Sequence, residues 1–340
     1  MKIPFLSNMT QLVGIDLGTT TTRIWTDTDG VVLEEATCLA IDSRTERVMA
    51  VGNEAAAMAG RVGDVVQIHR PVQGGDLYDL DVARAMLKVF LQKVLKTSAF
   101  VRPVMMASIP ASSTEAERMA MVELLDSVGA REAYTISQPL AAAIGSGVPI
   151  ADSSGSFLVQ MGSGVVEGAI ISLGSMVAFE SSRKAGQRAD VGIQTLLKNK
   201  HSLLVGAEAA EHLKIKVGGL GGAEKQALVT GKDMVKLSPT EVMVTTAMIQ
   251  APLLEQAALY QRVLKQLFAK IPPELTVDVI DKGILLAGGF AQLDGLDQYL
   301  VQSVGVSVAV VEDPSHVVIK GIGTTLEHLG LFKESLGYQL

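Results

Sequence analysis

"VGIDLGTTTTRI", residues 13–24, decides the fold. An apolar strand from Leu12 to Asp16 runs into the small residues after Gly18, and an alternating second strand follows from Arg23 to Thr28. Asp29-Gly30 then marks a hairpin before "VVLEE". The same strand, glycine turn and strand return at "LVQMGSGVVEGA", residues 158–169, and the first turn glycines, Gly18 and Gly162, lie 144 positions apart. Two similar halves in one chain account for the recurrence.

Turns of this kind expose successive backbone N–H groups, which form a nest for anions. Glycine lets a phosphate approach the backbone closely, and threonine hydroxyls donate to its oxygens. In the first turn Gly18, Thr19, Thr20 and Thr21 are therefore candidate phosphate ligands, and Asp16 is the candidate to hold Mg2+ through water. A third glycine turn, "LAGGF" at residues 286–290, sits between a buried strand and a helix start, where a base or ribose can lie against backbone.

The 340 residues suffice for about two domains. Apolar residues make up 48% and aromatics 4%, which predicts a core of Ala, Val, Leu and Gly. No run reaches the ~18 apolar residues of a membrane-spanning helix. A net charge of −7 without a basic run argues against nucleic acid as a partner. The one cysteine, Cys38, excludes an internal disulfide, and the opening "MKIPFLSNMTQ" carries no secretory pattern, so a cytoplasmic protein is expected. Five scattered histidines give no zinc spacing.

Local signals place several elements. Asp79 is the predicted cap of a helix with Val82, Met86, Val89, Phe90 and Val94 on one face. "SSTEAER" predicts a capping box of Ser112 with Glu115 and a helix closed by Gly129. Pro139 suits the first position of "PLAAAIG", leaving Gln138 just ahead of it. A helix is predicted from about Val242 to Ala269, kinked or restarted at Pro252, after a peripheral Gly-rich and polar stretch over 218–245.

The segments "GIDLGTTTT", "QPLAAAIGSG", "LVQMGSGVVEGAIISLGS", "AEAAEHLKIKVG", "GILLAGGFAQLDGL" and "VEDPSHVVIKGIG" occur in an order that resembles the actin-like ATPases, and among them the MreB family of bacterial actin homologues. The resemblance implies an α/β, actin-like ATPase fold: two lobes of duplicated ribonuclease-H-like domains, each with a smaller subdomain. Lobe I would take residues 1–150 plus 320–340, with 33–74 as its small subdomain. Lobe II would take 151–319, with 186–249 as its own. It also implies ATP and Mg2+ in the cleft, self-polymerisation at the inner face of the cell membrane for cell shape, and a paralogue or envelope and division proteins as further partners.

Matched position by position, the resemblance gives Gly162, Ser163, Gly164 and Val165 to the second phosphate turn. Glu208, Glu211 and Lys214 would meet ribose and base, and Gly288, Gly289, Phe290 and Ala291 would back the adenosine. Gln138 would position water, and Glu167 is the acid after the second turn. Glu211 and Lys214 equally suit an exposed helix face, and Glu167 a charge on a strand surface. "TSAFVRP", residues 97–103, matches a membrane-touching loop, with Phe100 beside Lys96 and Arg102 and with "IPFL" near the start as a second anchor. Packing of Phe100 on its own lobe is the equal alternative.

The departures concern the metal. MreB-like chains carry an aspartate before the second turn and threonines after its glycines, where this chain has Gln160, Val165 and Val166. An amide adds no charge to hold a cation, and valine keeps the strand but supplies no hydroxyl. "SQP" stands where the family has "EEP", and "AGQRADVGI" replaces a more acidic stretch. The expectation is an ATP-binding filament protein with slow or lost hydrolysis. The alternatives are a non-hydrolysing scaffold and a sugar-kinase or chaperone-type ATPase of the same superfamily.

Overall fold

The computed structural model describes residues 11–61, 65–95 and 102–332. The chain forms two compact units: residues 1–153, 171–177 and 315–340 in one, and 154–170 and 178–314 in the other.

The first unit is built on a five-stranded sheet. Its strands run in the order Glu132–Ser137, Val104–Ile109, Leu12–Leu17, Thr21–Thr26 and Gly30–Ala36. The first three are mutually parallel and the last two fold back as antiparallel hairpins. The second strand begins at Thr21, two residues earlier than the alternation predicts, because Gly18 N–H donates to Thr21 O at 3.1 Å and closes the turn at once. A smaller sheet of Val48–Val51, Leu39–Asp42 and Val66–His69 has its own core of Cys38, Ala40, Ala50 and Ala55.

Helices cover the main sheet. Leu80–Val94 is capped by Asp79, whose Oδ1 accepts from Val82 N–H at 3.0 Å, and it buries Met86, Leu87 and Phe90. The helix after Ile109 runs Glu115–Ser127, and its capping box pairs Thr114 with Glu117 rather than Ser112 with Glu115. The register moves by two because Ser113 N–H donates to Pro110 O, which spends Ser112 and Ser113 on a turn. Gln138–Gly145 opens on Gln138, one residue before the predicted Pro139, and packs on Val317–Glu327 through glycine. A Cβ on Gly145 would lie 1.9 Å from Val317 O, and one on Gly321 1.8 Å from Ala141 O.

The second unit repeats the plan. Its sheet runs Ser175–Ser182, Val166–Ser172, Ser156–Met161, Ile284–Ala287 and Val308–Val310, and the last three strands are parallel. Counted from each unit's first strand the order is the same, and the turn repeats too. Gly162 N–H donates to Val165 O at 2.9 Å, as Gly18 does to Thr21. The core gathers Phe157 edge-on to Phe268, and Tyr260 edge-on to Phe290.

A second small sheet joins Leu203–Leu204, Gln226–Asp233 and Pro239–Thr245. Here the structure departs from the predicted helical stretch. Residues 242–245 are strand, since Val242 and Val244 continue a β-branched alternation paired with Val229 and Ala227. The helix starts at Thr246 and runs unbroken through Pro252 to Phe268.

Candidate functional site

In the first unit, the parallel strands Leu12–Leu17, Val104–Ile109 and Glu132–Ser137 deliver their carboxyl ends to one edge of the sheet, where ligands of open α/β sheets bind. That edge carries Asp16, the turn Gly18 to Thr21, Ser108 and Gln138. A Cβ on Gly18 would lie 2.7 Å from Thr21 O, so glycine is what permits this tight turn. Thr19 is buried, its Oγ1 accepting from Gly75 N–H at 3.0 Å, and Thr20 O accepts from Thr37 N–H at 2.8 Å. The turn is thus tied to the chain beyond it. Gln138 is buried at the first position of its helix, directly after the strand end.

Asp16 is enclosed by more than the motif shows. Ser108 Oγ donates to its Oδ1 at 2.7 Å, and Arg23 Nη1 lies 3.8 Å from its Oδ2. Arg23 Nη2 donates to Glu34 Oε1 at 2.6 Å, and His316 Nε2 sits 3.1 Å from Glu34 Oε2. Burial pushes the Asp16 carboxyl above its usual range, against the pull of Arg23, the Ser108 hydroxyl and His316. Burial also acts upward on Glu34, but His316 and Arg23 outweigh it and hold that carboxyl below its ordinary value.

In the second unit, Gly162, Ser163 and Gly164 follow Ser156–Met161, and the start of Gly186–His201 packs onto them. Gly186 N–H donates to Gly162 O at 3.1 Å and Gln187 N–H to Ser163 O at 2.8 Å. Gly288 closes in from the neighbouring strand with φ 89°, and a Cβ there would stand 2.3 Å from Met161 O. Gly289, Phe290 and Ala291 follow in a short 3-10 turn, with Phe290 and Ala291 buried. From the helix Ala207–Val217, Lys214 Nζ reaches Asp190 Oδ1 at 2.8 Å and lies 5.9 Å from the centre of the Phe290 ring. Burial raises the Asp190 carboxyl above its usual range although Lys214 lowers it.

Two open alternatives are decided here. Lys214 is not a solvated helix-face charge, since its side chain is 11% exposed and bonded to Asp190; Glu208 is exposed and Glu211 half-buried. Glu167 is not a surface charge, because it is 0% exposed in a strand buried on both faces.

The substituted positions are buried as well. Val165 and Val166 pack into the core, and Gln160 Oε1 has no hydrogen-bond partner. This donor set does not suit a hard divalent cation. Asp16 has both oxygens engaged by protein, its counterpart is an amide, and no three His, Cys, Asp or Glu side chains gather as a metal cage among the described residues. Phe100 and the N-terminal "IPFL" lie outside the described residues, while Arg102 turns onto its own fold and donates to Gly129 O. No helix among the described residues is long and apolar enough to cross a membrane.

Arg23, Ser108 and Asp190 escaped the motif reading. Arg23 had a signal: a two-residue turn after Gly18, at Thr19 and Thr20, sets Asp16 opposite Arg23 in the hairpin. The other two are brought in by tertiary contacts.

Residues 10–334 match the sequence model of the MreB/Mbl protein family. The cell shape-determining protein Mbl of Bacillus cereus is 36% identical over 320 residues, covering 93% of this chain and 96% of Mbl. MreB 5 of Spiroplasma citri bound to AMPPNP superposes with a TM-score of 0.90 at 25% identity, over 96% of this chain and 98% of that one. A MamK double helical filament subunit shares the fold, with a TM-score of 0.80 at 20% identity over 94% of this chain and 99% of its own.

Proposed function

Because this chain belongs to the MreB/Mbl family and is an actin-like cytoskeletal protein, we propose that it binds ATP and assembles with copies of itself into filaments, while hydrolysing the nucleotide slowly or not at all. The observation that carries this reading is the repeated turn, with one hydrogen-bond pattern at Gly18 and Gly162 but Gln160 where Asp16 has its counterpart. Backbone N–H groups of both turns suit phosphate, and neither turn depends on the substituted side chains for its shape. AMPPNP in the Spiroplasma citri relative supports an adenine nucleotide as the ligand.

Lys214 and Phe290 suit the nucleoside, with the Asp190 carboxylate fixing the ammonium beside the ring. Gln138 can orient a water through its amide but takes no proton from it. Glu167, buried in the strand that follows the second turn, is the acid beside it. We assign the filament to the inner membrane surface through Phe100 and the N-terminal apolar segment, on the resemblance of residues 97–103 to the family's membrane-touching loop.

Electron microscopy and light scattering with ATP, ADP and no nucleotide, run beside a phosphate-release assay, test the reading. Filaments that form only with ATP and persist without phosphate release are expected. Turnover at the rate of assembly would overturn the loss of hydrolysis, and filaments indifferent to nucleotide would leave a plain scaffold. Liposome co-sedimentation of Phe100→Ser tests the membrane assignment, which unchanged binding would remove.

A further inference from the structure

We propose that the Arg23 guanidinium stands in for the divalent cation at Asp16, so that this chain binds nucleotide phosphates without requiring Mg2+. The inference rests on the nucleotide reading above and deepens it.

The hairpin register sets Arg23 opposite Asp16, and the Gly18 turn leaves no slack for a different pairing. The Arg23 side chain is only 14% exposed, so its charge belongs to the interior of the site and not to a solvated surface. It is held there from behind: Nη2 is fixed by Glu34, and Glu34 in turn by His316. Nη1 is the arm that faces Asp16, and the remaining oxygen of Asp16 is taken by Ser108. Arg23 Nε is buried with no hydrogen-bond partner among the described residues, so the guanidinium makes its contacts through its two Nη groups.

A water-coordinated Mg2+ needs carboxylate oxygens free to order its shell. Here one carboxylate is occupied from both sides and the equivalent position in the second unit is the neutral Gln160. A guanidinium provides what the missing ion would, a permanent positive charge with N–H donors matched to phosphate oxygens. Neutral Gln160 and the internal cation at Asp16 thus act the same way, since neither turn offers a free carboxylate to a metal.

The test is an equilibrium titration of the full-length protein with labelled ATP, in EDTA and in Mg2+. The wild-type Kd is expected to differ by less than about threefold between the two buffers. Arg23→Leu, which keeps the apolar stem and frees Asp16, is expected to bind about tenfold or more weakly in EDTA and to recover when Mg2+ is added. Arg23→Lys keeps a charge and is expected to stay metal-independent, which guards the result if the leucine variant does not fold. A wild-type affinity that collapses in EDTA overturns the inference while leaving nucleotide binding intact. Absence of ATP binding in both buffers overturns the nucleotide reading itself, and the inference with it.

Discussion

Lys214 and Asp190 meet across two helices of the second unit, Nζ to Oδ1 at 2.8 Å, with both side chains about one-tenth exposed. Removing one partner of a buried pair leaves an uncompensated charge, which costs far more than the pair contributes. Lys214→Met is expected to lose about 3–5 kcal/mol near pH 7 in chemical denaturation. Lys214→Met combined with Asp190→Leu is expected to regain most of that loss. The sign of the pH dependence follows from the raised carboxyl. Folded Asp190 holds its proton more tightly than the unfolded chain, so protonation favours the fold. Stability tied to it is present below the ordinary carboxylate value of 3.8 and fades as pH rises through the folded value. The deficit of Lys214→Met therefore shrinks as pH falls toward that range, and a deficit constant from pH 7 to 4 would exclude Asp190 as its cause.

Gln160→Asp restores the missing acid at a buried position. Without metal the added charge is expected to cost about 1–3 kcal/mol, a Tm lower by roughly 3–6 °C. Saturating Mg2+ is expected to return part of the loss, since a ligand that binds only the folded state raises its stability. Thermal melts with EDTA and with Mg2+ read this directly. A variant equally unstable in both would show that the second turn cannot take a cation even when given its carboxylate.

Gly321→Ala drives a methyl group into Ala141 O, where 1.8 Å is available. Both neighbours are helix backbone, so nothing local can yield, and the two helices must separate. A loss of about 3 kcal/mol or more is expected, to the point of insolubility. Gly206→Ala meets no atom within 4 Å and is the control, expected to lose no more than about 1 kcal/mol because Gly206 is a helix N-cap. Comparable losses for the two would refute close helix packing as the reason for glycine at 321.

The shifted capping box separates two hydroxyls that lie two residues apart in sequence. Thr114→Ala removes the acceptor for Glu117 N–H and is expected to cost about 1 kcal/mol. Ser112→Ala is expected to cost less than about 0.5 kcal/mol. Denaturation of both variants decides the register, and the reverse ranking would restore the Ser112 cap.

The sequence by itself determined whatever depends on neighbours along the chain. Turn glycines at Gly18 and Gly162, the hairpins they close and the Asp79 cap all follow from local backbone geometry and are formed as read, while the helix expected to open on Pro139 opens one residue earlier, on Gln138. The duplication was legible too, because the two turns share one spacing of small residues. The cap of Glu115–Ser127 slipped because three consecutive residues, Ser112, Ser113 and Thr114, were all able to cap, and the turn at Pro110 chose between them. The strand at 242–245 slipped because a β-branched alternation can pass for a helix edge until a partner strand is present. Only the tertiary structure decided the electrostatics of the site. Ser108 reaches Asp16 from 92 residues away, Asp190 meets Lys214 from 24, and Glu167 is sealed inside a strand whose sequence gives no sign of burial on both faces. Charges act through space, and the distance and dielectric between them are set by packing layers that no local pattern encodes.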